Sequence, residues 1–127
     1  MRLIIGGYAQ GKLNYALQKY HVDSRNVFDG SIPDRAEVIN DTVIIDHLNT
    51  YIRQSMTDGK SPETEIFDFI DKYPDCVIIS DEVGNGIVPI DAFERDYREI
   101  TGRIQIELAK MAEEVERVIC GIGQKIK

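Results

Sequence analysis

The sequence has no tryptophan, two cysteines, two histidines and four prolines, and its cations are outnumbered: 15 Lys and Arg face 22 Asp and Glu, a net charge of −7. Each shortage excludes something. Cys76 and Cys120 are too few for a disulfide framework, and since each adjoins an apolar run, both are expected to be buried small hydrophobes. An acidic surface repels phosphate backbones, so broad nucleic-acid binding is disfavoured and any phosphate ligand needs a local site. No apolar run exceeds a few residues, and no signal-peptide pattern of charged, apolar and small residues opens the chain. The expectation is a cytoplasmic protein without a membrane span. Repeats and linkers are also missing. With 43% apolar and 29% charged residues over 127 positions, what remains is one folded domain, residues 1–127, able to bury a real core.

What is present is a regular alternation. Leu3-Ile4-Ile5, Val43-Ile44-Ile45 and Val77-Ile78-Ile79 are β-branched runs that read as buried strands, with Val115 to Cys120 a further inner strand and Asn26-Val27-Phe28 a weaker one. Helical spacing lies between them. Leu13, Ala16, Leu17 and Tyr20 form one stripe; His47 to Met56 forms a second helix; Ser61-Pro62-Glu63 starts a third with an N-cap and a proline at the first position. The longest helix opens on Asp91 and Glu94, three apart as in a capping box, and carries Phe93, Tyr97, Ile100, Ile104 and Leu108. Gly102 interrupts it and weakens it unless something approaches closely there. Val83 to Pro89 reads as a loop, and Gly121 and Gly123 as turns into a C-terminal tail. Strands alternating with helices predict an α/β fold, a mostly parallel sheet with helices on both faces.

Ligands of such sheets sit at the carboxyl ends of the strands, and three segments end there: Gly6-Gly7, Asp46 and Ser80-Asp81-Glu82. The first continues as Gly6-Gly7-Tyr8-Ala9-Gln10-Gly11-Lys12, with the G-x-x-x-x-G-K spacing of a phosphate-binding loop between a strand and a helix. Backbone N–H groups and the helix N-terminus hold phosphate oxygens there, and Lys12 adds a point charge. Gly6, Gly7, Tyr8, Ala9, Gln10, Gly11, Lys12 and Leu13 are therefore the candidate nucleotide-binding residues. Leu13 stands where Ser or Thr would give Mg²⁺ a hydroxyl. Asp46, closing an apolar strand, is the first candidate metal ligand, with Asp81 and Glu82 second; Lys12 and Glu82 are the candidate catalytic groups. His47 follows Asp46 at the same crevice, and histidine is the side chain whose ordinary range lies near neutrality.

Glu82-Val83-Gly84-Asn85-Gly86-Ile87-Val88-Pro89, then Arg95-Asp96-Tyr97-Arg98-Glu99 with Gly102-Arg103, then Gly121-Ile122-Gly123-Gln124-Lys125-Ile126-Lys127, resemble the CobU family. The loop from Gly6 to Lys12 is similar to that family's, so the resemblance extends over residues 1–20 and about 41–127. Its members are adenosylcobinamide kinases and adenosylcobinamide-phosphate guanylyltransferases. The resemblance implies an α/β fold of the P-loop NTPase type, a three-layer sandwich with a mostly parallel sheet; a nucleotide, GTP or ATP, on residues 6–13; Mg²⁺; adenosylcobinamide as acceptor; a place in cobalamin biosynthesis; and a homo-oligomer, a trimer. Three departures accompany it. Leu13 replaces the loop hydroxyl, Gln105-Ile106 replaces Asn-Gln, and the segment that carries the guanylylated histidine is reduced to Asn26–Asn40, which has no histidine. Guanylyl transfer is therefore not expected. A second reading is a non-catalytic relative that binds a nucleotide or corrinoid as a regulatory or structural subunit.

Overall fold

The computed structural model describes residues 1–39, 42–83 and 91–127. The elements in chain order are β1 (Arg2–Gly6), α1 (Lys12–Tyr20), β2 (Val27–Asp29), β3 (Ile44–Asp46), α2 (Leu48–Thr57), α3 (Pro62–Lys72), β4 (Val77–Asp81), α4 (Ala92–Met111), β5 (Glu114–Ile119) and β6 (Ile122–Lys125). One six-stranded sheet has the order β2-β3-β4-β1-β5-β6, parallel except for the antiparallel β5–β6 pair.

The β-branched runs become inner strands because both faces of the sheet are covered. Neighbouring residues of a strand point to opposite faces, and the two cores record this. Leu3, Ile45 and Ile78 pack with Leu48 and Ile52 of α2, Ile66 and Phe69 of α3, and Ile104 and Leu108 of α4. Ile4, Ile44, Val77, Ile79 and Val118 pack on the other side with Ala16, Leu13 and Leu17 of α1. Helices α2, α3 and α4 thus cover one face and α1 the other, the expected three-layer α/β sandwich. No helix among the described residues is long and apolar enough to cross a membrane.

Local signals set the helix ends. Ser61 is the N-cap of α3 and Pro62 its first residue, although the serine side chain makes no capping bond. Asp91 caps α4 by accepting from the Glu94 N–H, while the Glu94 carboxylate pairs with Arg53 instead of closing the box. Among the described residues a Cβ on Gly102 would meet nothing within 4 Å, so no close approach by them offsets that glycine.

Two expectations change. The residues after β5 are not a tail: Cys120 and Gly121, with φ of 51° and 75°, form a two-residue hairpin turn of the kind that needs positive φ at both positions. Ile122–Lys125 then returns as the edge strand β6. Cys120, placed in that turn, is exposed, whereas Cys76 is buried as expected. The predicted loop from Val83 to Pro89 falls, from residue 84 onward, outside the described residues.

Candidate functional site

The loop after β1 is shaped by its glycines. A Cβ at Gly6 would lie 2.6 Å from the Val118 carbonyl oxygen of β5, so only glycine lets the strand run on into the loop there. Ala9 has φ of 56° and Gly11 of 84°, left-handed conformations that curl the backbone. Gly11 is also the N-cap of α1, a nine-residue helix with no acidic side chain in its first turn. Its positive N-terminal pole is therefore not offset by a carboxylate of its own first turn. The loop is fixed to the β5–β6 turn through its oxygens: the Gln10 carbonyl accepts from the Gly121 N–H at 2.8 Å, and Gln10 Oε1 accepts from the Cys120 N–H at 2.8 Å. Tyr8 at the tip is 82% exposed.

Lys12 turns back under the loop. It is only 6% exposed; its ammonium donates to the Gly7 carbonyl at 2.6 Å and stands 2.7 Å from Asp81 Oδ1. The latter is a charge contact, since no hydrogen bond is aligned with that oxygen. Strand parity explains why Asp81 is the partner. Val77 and Ile79 face α1, so Asp81, two further on, faces α1 and its lysine. Ser80 faces the opposite layer, where Gln105 of α4 donates to Ser80 Oγ and to the Asp81 carbonyl, both at 2.9 Å. Asn49 of α2 accepts from the Asp81 N–H at 3.0 Å, and the Tyr97 hydroxyl donates to the Asn49 carbonyl at 3.2 Å. Asn49 and Gln105 thus hold the end of β4 in place. The sequence reading did not give either this task, and parity counted from Ile79 was the available signal.

Asp46 ends β3 in the same way. Ile44 faces α1, so Asp46 does too, and the structure brings it to the loop. Ala9, Gln10, Gly11, Lys12, Leu13, Asn14, Asp46 and His47 enclose one cavity of about 300 Å³. Burial pushes the Asp46 carboxyl above the ordinary carboxylate range, against the pull of His47, of the His47 N–H that donates to Oδ1 at 2.9 Å, and of Lys12. His47, with φ of 50°, places Nδ1 2.6 Å from Asp29 Oδ1 and 3.4 Å from Asp46 Oδ2. Burial opposes its charge, but the hydrogen bond to Asp29 and the field of the neighbouring carboxylates outweigh this and raise its pKa.

Glu82 goes elsewhere. Its carboxylate accepts from Arg117 of β5 in a bidentate contact, 2.6 and 3.0 Å, while its own N–H donates to the Gly6 carbonyl at 2.8 Å. Of the acids at the end of β4, Asp81 therefore meets the lysine and Glu82 meets an arginine. A larger groove, about 1040 Å³, opens between residues 32–39 and α3; no loop residue lines it. As a cation site around a bound phosphate, the cavity offers the Asp46 carboxylate and nothing from Leu13, a set compatible with Mg²⁺ held by one carboxylate and substrate phosphates.

The family described as cobinamide kinase / cobinamide phosphate guanyltransferase matches residues 21–126. That match starts beyond the loop, so the likeness over residues 1–20 rests on the loop's own residues and shape. Two curated relatives, each called bifunctional adenosylcobalamin biosynthesis protein CobU, come from Salmonella typhimurium and Escherichia coli. Each is 49% identical over 51 residues, 40% of this chain. The aligned stretch spans only 28% of each relative's length. With most of its residues inside the family match, the chain belongs to the CobU family.

Proposed function

We propose that the chain is a nucleotide-binding protein of cobalamin biosynthesis, a single domain over residues 1–127 that takes the phosphates of GTP or ATP on the loop from Gly6 to Leu13. The observation that carries this reading is the cavity lined by Lys12, the other N-terminal residues of α1 and Asp46. Loop N–H groups and the helix pole hold phosphate oxygens and Lys12 neutralises the terminal phosphates, while Asp46 would hold Mg²⁺, which would supply charge neutralisation at the phosphates. The acceptor is the aminopropanol hydroxyl of adenosylcobinamide. Its oxygen bonds to the terminal phosphorus, the bond to the leaving diphosphate breaks, and the hydroxyl proton passes to solvent water. Glu82, oriented by Arg117, positions that hydroxyl. A cytoplasmic homo-oligomer, a trimer, belongs to the same proposal.

A second reading, a non-catalytic nucleotide- or corrinoid-binding subunit, is favoured by Leu13 and by the charge contact of Asp81 with Lys12. Titration of wild type and Lys12→Ala with GTP and ATP, with and without Mg²⁺, tests the site common to both. The substitution is expected to weaken binding at least tenfold, or about 1.4 kcal/mol; equal affinity in the two proteins removes the loop from the argument. Turnover of adenosylcobinamide with nucleotide separates enzyme from binder.

A further inference from the structure

Beside the phosphate loop lies a set of donors that nucleotide binding does not require. Asp29 and Asp46 are direct partners in the parallel register of β2 and β3, and Val27 and Ile44, two residues before them, both pack on the α1 side of the sheet. The two carboxylates therefore emerge side by side on one face. Like charges directly opposite on neighbouring strands repel. The Asp46 side chain is 7% exposed, so water relieves little of that repulsion. Its Oδ1 is taken by the His47 N–H, but among the described residues no hydrogen-bond donor reaches Oδ2, which has only the His47 ring at 3.4 Å. That Asp46 oxygen thus faces a second carboxylate and an imidazole.

We propose that Asp29, Asp46 and His47 form a binding site for a first-row transition-metal dication of the Zn²⁺ and Co²⁺ class. One donor atom from each of the three residues lies within 4.8 Å of the others. An imidazole nitrogen with two carboxylate oxygens is a donor set for Zn²⁺, Co²⁺, Mn²⁺ or Fe²⁺, whereas Mg²⁺ prefers oxygen alone. The cation takes the place of the proton shared by His47 Nδ1 and Asp29 Oδ1, and that proton is released to solvent. Three protein ligands leave coordination positions for water or a substrate oxygen, and Asp46 and His47 also line the loop cavity. The site shares Asp46 with the proposed Mg²⁺ position, yet needs neither nucleotide nor Lys12.

The test is calorimetric titration of chelator-treated, nucleotide-free full chain with Zn²⁺ and with Co²⁺, the latter also followed by its visible absorption. Wild type is expected to bind one ion. His47→Gln and Asp29→Asn should each weaken binding at least tenfold, and Lys12→Ala should bind the ions at least as tightly as wild type, since Lys12 places a positive charge near Asp46. Asp29 is exposed, so its substitution tests the site even if His47→Gln does not fold. Unchanged affinity in Asp29→Asn, or a Co²⁺ spectrum indifferent to His47→Gln in a folded variant, overturns the proposal by placing the ion elsewhere. Failure of nucleotide to bind would leave this result standing, because no nucleotide is present.

Discussion

Replacing Asp81 with Asn isolates one charge. The bonds that fix the residue 81 main chain run from its N–H to Asn49 and from Gln105 to its carbonyl and survive the change, and the long contact of the Asn49 amide with Oδ2, 3.5 Å, can be kept by the Asn oxygen. What disappears is the anion 2.7 Å from the Lys12 ammonium. At an effective dielectric of about 20, the gross attraction of a pair at that distance is about 6 kcal/mol. Desolvation cancels much of it, and removing one partner of a buried pair costs about 3–5 kcal/mol. Lys12 keeps the Gly7 carbonyl at 2.6 Å and a residual attraction from Asp46, so the expected loss falls to about 2–3 kcal/mol. For a chain of this length that lowers Tm by roughly 8–12 °C.

The same substitution has the opposite sign for ligand binding. In wild type a phosphate must draw the lysine away from Asp81, whereas in Asp81→Asn the ammonium is buried without a carboxylate partner before the ligand arrives. GTP or ATP should therefore bind at least tenfold more tightly, about 1.4 kcal/mol, and the ligand-induced rise in Tm should grow accordingly. Thermal melts with and without nucleotide read both quantities. A Tm unchanged by the substitution would refute the claim that the pair supports the fold. Weaker nucleotide binding would refute the competition, and would give Asp81 a place among the groups that hold the phosphates' cation.

Gly102→Ala should stabilise the protein by about 0.5–1 kcal/mol, because a methyl group there meets nothing among the described residues and helix propensity decides the sign; a lower urea midpoint would refute this. Glu116 is buried on β5. Burial raises its carboxyl pKa, but hydrogen bonds from Lys19 and Tyr15 outweigh this and hold it below the ordinary range. Its folded-state pKa is thus depressed, so its contribution is present above the unfolded value of about 4.3 and is lost as pH falls through the folded value. Glu116→Gln should accordingly melt lower than wild type at pH 7, and the two melting curves should converge as the pH falls below about 4.

Much of the fold is legible because local chemistry and burial agree. Val43-Ile44-Ile45 and Val77-Ile78-Ile79 are apolar at every position because both faces of those strands are covered. The loop is legible for a similar reason: the close approach of the Gly6 backbone to Val118 and the left-handed φ of Gly11 are requirements that glycine meets and that spacing reveals. The edge strand β6 was hidden, since Gly121 and Gly123 in a polar stretch suit a tail as well as a hairpin. The difference is made by Cys120, a non-glycine residue at positive φ whose N–H is bonded by Gln10, 110 positions away in the chain. Exposure of Cys120 follows from that turn, not from the apolar run beside it.

The arrangement of acids was hidden for another reason. Asp29 reads as the start of a polar loop, and nothing local pairs it with His47. That contact exists because β2 lies beside β3, whereas β4, far later in the chain, separates β3 from β1. Strand order is a non-local property, and so is the partner of any residue at a strand end. Which face such a residue takes is, by contrast, local. Counting in twos from Val27, Ile44 and Ile79, all packed against α1, assigns Asp29, Asp46 and Asp81 to the α1 face and leaves Glu82 off it. Three acids thus border α1, whose N-terminus opens at the loop from Gly6 to Gly11. Lys12 serves the acid on β4, and His47 stands between the other two. The chemistry of this edge then depends on which cation, protein-borne or metal, takes the place of each.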